Sequence, residues 1–292
     1  MSLFKKLIQS LKKTPFVHVM RWLYDFLIFM KRTYLQVKWT IQGKKLPLPE
    51  DVELMVENVT IIFKSFERQK LAKRLYENIQ KFYPGIRVII ADDSSKPLEM
   101  GDEHVEVIQM PFNSGLGKGM CRALERVETP YVIRMDDDEL LTVHTRFEEH
   151  LKYLMMRPEI DLIGVLPMNL PFTKPLEEVA VPYLRESMYD APKPLLIPHL
   201  MMVERGKDYV VVGKSANIFI ARTDKVKAVG YDEAIRMLDH HDFFFRAAGN
   251  MVSVISMESF VFHYHNPFDM YYAKFRGDVA GDRAYLQKKH RW

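Results

Sequence analysis

Residues Tyr131 to Leu140 read Y-V-I-R-M-D-D-D-E-L, an apolar run that ends in three adjacent carboxylates, Asp136, Asp137 and Asp138. Three like charges held together at a strand end repel one another unless a cation or a cluster of hydrogen bonds offsets the repulsion. A divalent ion shared with a phosphate substrate would do so. Hard oxygen ligands suit Mg²⁺ or Mn²⁺, which take one or two protein carboxylates and complete their shell with phosphate oxygens and water. A solvated acidic turn is the alternative reading of the same run.

The elements that must position these carboxylates decide between the two readings. Asn58 to Lys64, Ile86 to Ala91, Val105 to Met110 and Tyr131 to Met135 are β-branched or apolar runs of strand length. Helical periodicity separates them at Glu67 to Tyr83, closed by Pro84-Gly85, and at Gly115 to Val127. Strand and helix in strict turn predict a mostly parallel α/β sheet with helices on both faces, and ligands in such sheets sit at the carboxyl ends of the strands. Polar groups fall at all four ends: Lys64-Ser65, Asp92-Asp93, Asn113-Ser114-Gly115, and Asp136 to Asp138. Four such coincidences favour the metal and phosphate reading.

The second half is less regular. Helices are expected over 145–156, 223–229 and 238–248, and strands over 160–166, 209–212, 216–221, 252–256 and 261–265. The proline-rich stretch 167–198 reads as a loop suited to shaping a substrate pocket.

The composition, 48% hydrophobic and 27% charged, excludes global disorder. A lone cysteine, Cys121, excludes an internal disulfide and a cysteine-rich zinc site. The net charge of +4 conceals an asymmetry: residues 1–45 carry ten Lys or Arg against one acid, Asp25. Aromatic and aliphatic residues are interleaved with those charges, so a membrane surface fits better than nucleic acid, for which the arm is too apolar and the body too acidic. Packing of the same helices on the body remains open. The apolar stretch Phe16 to Met30 holds Arg21 and Asp25 and is too short and too polar for a transmembrane span. It also lacks a small-residue cleavage site, which makes it a poor secretory signal. The expectation is a peripheral protein on the cytoplasmic face of a membrane.

Several segments together resemble the GT-A nucleotide-sugar glycosyltransferases of the family 2 type. They are D-D-S-S after the second strand, N-x-G-x-G-x-G-x-x-x-A after the third, D-D-D after the fourth, and an acidic helix start about a hundred residues later. F-Y-P-G-I-R-V-I-I-A-D-D-S and S-A-N-I-F-I-A-R-T-D-K-V-K-A-V-G-Y-D look like the inverting N-acetylgalactosaminyltransferases that act on gangliosides. The resemblance implies a GT-A, Rossmann-like fold, a UDP-sugar donor, a glycan or lipid-linked acceptor, and Mn²⁺ or Mg²⁺.

It also implies residue roles. Asp138 would bind the metal, Asp136 would reach the ribose or a metal-bound water, Asp137 would lie beside the donor, and His263 or His265 would complete the metal shell. Asp93, with Asp92 behind it, would accept a hydrogen bond from the base or ribose. Phe63, Lys64, Ser65 and Arg68 would wall the nucleotide. Asn113, Gly115 and Asn217 would border the donor, and Lys118 would offset phosphate charge. The family commonly shows E-D-x-D where this chain has Asp239-His240-His241-Asp242, so the base position holds His240. Either His240 or Asp242 would be the general base, with Asp242 favoured because a carboxylate is the usual choice.

The expected organisation is a basic amphipathic arm over 1–45, a linker over 46–57 and a catalytic body over 58–265. The body divides into a nucleotide-binding half (58–143) and an acceptor half (144–265), and a basic helical tail covers 266–292. A non-catalytic surface-binding scaffold on a degenerate transferase fold is the competing reading. A sugar-nucleotide pyrophosphorylase fits less well, because no glycine-rich basic signature lies near the N-terminus.

Overall fold

The computed structural model describes residues 14–189, 209–264, 266–275 and 279–290. A single nine-stranded sheet runs in the order β3-β2-β1-β4-β8-β6-β9-β5, with β7 on β9. Its first part is the parallel unit expected from the alternation of strands and helices: β1 (Val59–Ser65), β2 (Arg87–Asp92), β3 (Val105–Gln109) and β4 (Tyr131–Asp136). The rest is mixed. β8 (Phe219–Arg222) lies antiparallel to both β4 and β6 (Leu162–Asn169), whereas β9 (Ser253–His263) is parallel to β6 and antiparallel to β5 (Glu139–Leu140) and β7 (Tyr209–Val211). Strict alternation ends at β4 because its chain returns through Asp137-Asp138 straight into β5, without a crossover helix.

Side-chain alternation along the buried strands feeds two cores. Ile61 and Phe63 of β1 pack with Leu75 and Ile79 of α3 (Gln69–Phe82) and with Phe147 and Leu151 of α5 (Phe147–Met156). Ile62 points to the opposite face, with Met120 and Ala123 of α4 (Leu116–Glu125), Val226 of α7 (Thr223–Val229) and Phe243 of α8 (Asp239–Ala247).

The segment expected as a linker is mostly helix. α2 (Pro49–Asn58) starts with Pro49 in its first turn, where the missing N–H costs nothing, and buries Met55 completely. Its Asp51 pairs with Lys152 of α5. In the stretch expected as a loop, residues 176–189 form α6 (Leu176–Tyr189); residues 190–198 of that stretch lie outside the described residues. The two strands expected near 252–256 and 261–265 are one, β9. Its pairing with β6 shifts register between Gly164 and Leu166, which interrupts the alternation that the sequence shows.

The arm carries α1 (Val17–Ile41). One side of it packs on the body: Ile28 and Trp39 are buried, and the Trp39 ring lies 4.8 Å from that of His144 and 5.4 Å from that of Phe262. Its other side leaves Phe16, Trp22, Phe26, Leu27, Phe29 and Met30 exposed. The tail contributes α9 (Met270–Ala273) and α10 (Ala280–His290).

Candidate active site

Parallel register brings the polar strand ends together. Lys64 stands opposite Asp136 on one side and Ala91 on the other, and Ser65 stands opposite Asp92. They frame a cavity of about 290 Å³ bordered by Lys64, Arg68, Asn113, Gly115, Asp136 to Asp138, Asn217, His240 and His263.

The three aspartates face different partners. Asp136 Oδ1 lies 2.9 Å from Arg134 Nη1, and its N–H donates to Glu139 Oε2 at 2.9 Å. Asp138 Oδ2 accepts from Arg68 Nη1 at 2.8 Å, and Asp137 accepts from Arg68 Nε at 3.3 Å and also from its Nη2. The Arg68 guanidinium lies 4.0 Å from the centre of the Tyr272 ring. Arg68, expected to wall the nucleotide, therefore neutralises the two carboxylates directly. Burial pushes Asp137 up to about 7, with Arg68 opposing the rise and Asp138 adding to it.

His263 reaches the same place from β9. Pairing of Glu139 with His263 and a hydrogen bond from Tyr264 N to Asp138 O at 2.8 Å bring the strands together, and His263 Nε2 lies 3.7 Å from Asp138 Oδ1. Asn169 Oδ1 sits 2.6 Å from its Nδ1, which directs Nε2 toward the carboxylate. Among the described residues no three acidic, histidine or cysteine groups converge as they stand into a metal-binding set. The donor chemistry nonetheless fits a divalent cation, since the carboxylate oxygens of Asp136 to Asp138 and the His263 imidazole line the cavity. His265 lies outside the described residues.

The glycine segment and the β2 end form the other wall. Asp93 pairs with Lys64 and accepts from Gly115 N at 3.1 Å. Burial raises the Asp93 carboxyl, and Lys64 opposes that rise. Asp92 does not face the cavity: its oxygens accept from Ser94 Oγ at 2.6 Å and Leu98 N at 2.8 Å, which fixes the loop after β2. A Cβ on Gly117 would lie 2.1 Å from Asp232 O, and one on Gly119 would lie 2.8 Å from Lys64 Cδ. The repeated glycines thus admit the 232–236 loop and the Lys64 stem close to α4. Asn113, at φ 53°, offers its carbonyl to Arg236 Nη2 at 2.9 Å.

Three expected donor residues fall elsewhere. Phe63 is wholly buried in the core, because β1 points it away from the strand end. Ser65 is also buried, and its Oγ has no partner among the described residues. Lys118 sits in the first turn of α4 and does not border the cavity.

Helix α8 separates the two base candidates. Asp242 accepts from Arg246 Nε at 2.8 Å, and its Oδ1 lies 2.7 Å from Lys289 Nζ and 2.8 Å from His290 Nε2. Burial alone would raise it, but the hydrogen bonds from Arg246 and Lys289 hold it below the usual carboxylate range. A carboxylate so engaged and so acidic is a poor proton acceptor, and Asp242 does not border the cavity. His240 does border it, with Nδ1 3.6 Å from Asp239 Oδ1. Asp239 is fully buried, and His240 and Arg134 keep it ionised against the burial that would raise it. Arg134 Nη2 lies 3.4 Å from Asp239 Oδ2, so one buried guanidinium ties the β4 end to the α8 start. With its amide turned oxygen-first, Asn217 accepts from Arg134 at 3.2 Å.

Some site residues carry no motif. Asp282 of α10 accepts from Met237 N at 2.7 Å and Leu238 N at 3.0 Å, holding the backbone that leads into His240. Phe66, Phe112 and Phe275 pack edge to face or tilted at 5.2 to 5.9 Å beside the cavity. The aromatic spacing of M-Y-Y-A-K-F was the available signal for the tail's share of the site.

Residues 60–176 match Glycosyl transferase family 2. The mouse β-1,4 N-acetylgalactosaminyltransferase 1 is 33% identical over 211 residues, covering 69% of this chain and 38% of its own length. The human enzyme of that name is 33% identical over 201 residues, covering 66% and 36%. The chain thus spans well under half the length of these relatives. Among solved structures, S. aureus TarS 1–349 in complex with UDP-GlcNAc superposes with a TM-score of 0.51 at 15% identity, covering 72% of this chain and 59% of that one. TarS 1–349 alone gives 0.50. The similarity to TarS is one of fold, a helix-flanked GT-A sheet. The chain carries a Glycosyl transferase family 2 domain folded in the GT-A manner.

Proposed function

We propose that the protein is a metal-dependent, inverting glycosyltransferase that moves a hexose or N-acetylhexosamine from a UDP-sugar to a glycan or lipid-linked acceptor. The observation that carries this is the convergence of Asp136 to Asp138, His263, His240 and Lys64, itself paired with Asp93, on one cavity. The relatives named N-acetylgalactosaminyltransferases and the UDP-GlcNAc complex of TarS support the donor class.

Asp138, with His263 and Asp136, would hold a divalent cation, which when bound supplies positive charge to the leaving diphosphate. Arg68 and Lys64 add fixed positive charge at the same wall. His240 takes the proton of the acceptor hydroxyl as its oxygen bonds to the anomeric carbon and the bond from that carbon to UDP breaks. Asp239, 3.6 Å behind, steadies the imidazolium that forms. Attack from the face opposite the leaving group inverts the anomeric centre.

The protein would work at a membrane surface through α1. The aromatic and aliphatic side chains that this helix exposes, beside basic Arg21, Lys31 and Arg32, suit an anionic interface. No helix among the described residues is long and apolar enough to cross a membrane. The test is a donor screen for UDP release with Mn²⁺ across UDP-GalNAc, UDP-GlcNAc, UDP-Gal and UDP-Glc. Release with one of them that needs His240 supports the proposal, and silence with all four overturns it.

A further inference from the structure

A second cavity, of about 990 Å³, lies between α1 and the body and shares Arg68 with the first. Its cationic side chains are Arg21, Arg32, Arg68, Lys70, Arg74 and Lys96, and its acids are Asp25, Glu67 and Asp269. Each acid has a partner. Asp269 lies 3.3 Å from Arg21, Asp25 accepts from Asn266 Nδ2 at 2.8 Å, and Glu67 accepts from the Tyr271 hydroxyl at 2.8 Å.

The cations are less well served. Arg32 Nε and Arg74 Nε and Nη2 are buried and donate to nothing among the described residues. Arg74 also lies 3.9 Å from the centre of the Tyr264 ring. Burial, with Arg32 as a like-charged neighbour, holds the Arg74 guanidinium below its ordinary range. Buried donors left unmade are costly, and two guanidiniums facing one space call for a multivalent anion acceptor. Phosphate matches that demand, since its oxygens accept from guanidinium forks on more than one side. The source of the phosphate is indicated by what borders the groove: Phe29 lines it and is half exposed, and Trp22 and Phe26 stand exposed on the same helix.

We infer that the groove between α1 and α3 binds the phosphate of an anionic lipid headgroup, with Arg32 and Arg74 as its donors and the exposed face of α1 seated among the lipid chains. This builds on the membrane-surface part of the proposed function and is independent of sugar transfer, so vesicle binding and turnover succeed or fail separately. The site would fix how the arm lies and place the bilayer next to Arg68 and the donor cavity.

The experiment uses the full chain with vesicles of phosphatidylcholine alone and of phosphatidylcholine with phosphatidylglycerol, read by co-sedimentation, and with glycerol 3-phosphate as a soluble competitor. Arg32→Gln with Arg74→Gln should weaken binding to the phosphatidylglycerol vesicles about tenfold, whereas Lys38→Gln, an exposed cation of α1 outside the groove, should change it less than about twofold. Glycerol 3-phosphate should compete in the wild type. Arg32→Gln alone, on the α1 side, serves as the second variant, and unfolding curves show which proteins are folded. Equal weakening by Lys38→Gln, or vesicle binding untouched in the double variant, overturns the inference. Arg74-dependent binding of glycerol 3-phosphate without any preference for phosphatidylglycerol vesicles overturns the lipid and assigns the groove to a soluble phosphate compound.

Discussion

His290 Nε2 of the tail lies 2.8 Å from Oδ1 of Asp242 on α8, with Lys289 Nζ 2.7 Å from the same oxygen. The contact joins two segments far apart in sequence and turns Asp242 away from the cavity. It ties the tail to the body and, on the proposed function, leaves His240 as the group to receive the acceptor proton.

His240→Ala is accordingly expected to lower kcat about 10²- to 10⁴-fold with donor affinity near normal, as for loss of a general base. Asp242→Asn should keep most of kcat and instead lose about 1–3 kcal/mol of stability, because charged partners lose their carboxylate. Steady-state UDP release and denaturant unfolding on the two variants separate the outcomes. A collapse of kcat in Asp242→Asn with stability unchanged would reverse the assignment.

The same carboxylate sets a pH dependence. Asp242 is held below its ordinary value in the folded chain, so its contribution to stability is complete above pH about 4 and is lost as pH falls through the lower folded value. The acid limb of a pH–stability curve should therefore be shallower in Asp242→Asn than in the wild type. Identical limbs would show that the ion pair with Arg246 and Lys289 contributes nothing.

Arg68 stands where a cation is needed. Arg68→Ala leaves Asp137 and Asp138 buried beside one another, and a loss of about 3 kcal/mol is expected in chelator, as when one partner of a buried pair is removed. Mn²⁺ should recover much of that loss, and more of it in Arg68→Ala than in the wild type. Thermal melts with and without the ion report this directly; a variant indifferent to Mn²⁺ would count against a metal at these carboxylates.

Gly117→Ala is expected to cost about 1–3 kcal/mol, since the new methyl would meet Asp232 O at 2.1 Å and push the 232–236 loop off α4. Because that loop leads into His240, KM and kcat should both worsen. Unchanged melting and kinetics in this variant would mean that the loop adapts freely.

How much of this was legible in the sequence follows from the physics of each element. The parallel half was readable because β1, β2 and β4 are buried on both faces and appear as apolar runs ended by polar residues, whereas β3 lies half exposed at the sheet edge. Lys64, Asp93, Asn113, Gly115, Asp136 to Asp138, Asn217, His240 and His263 were named from those ends and from the family likeness, and they do meet at one cavity or its immediate wall. The misplacements have local causes. Asp92 and Asp93 are adjacent, and only the pleat decides that Asp92 turns inward to organise its own loop. Asp242 looked like a base because two of its partners, Lys289 and His290, come from the tail, and no local pattern announces a contact over that separation; only the pairing with Arg246, four residues on, was local. The α2 helix was hidden by its prolines, which mark a helix start as readily as a linker. Phe66 and Phe112 have no spacing that distinguishes them from ordinary core, and only the aromatic spacing of M-Y-Y-A-K-F pointed to Phe275.

The most direct measurement is UDP release from the four UDP-sugars with Mn²⁺, comparing the wild type with Asp138→Ala. The expected result is turnover with at least one donor and a loss of about a hundredfold or more in the variant, in line with removal of a group that stabilises leaving-group charge. Turnover in Asp138→Ala equal to the wild type would contradict a metal-assisted transfer at the three-aspartate strand end.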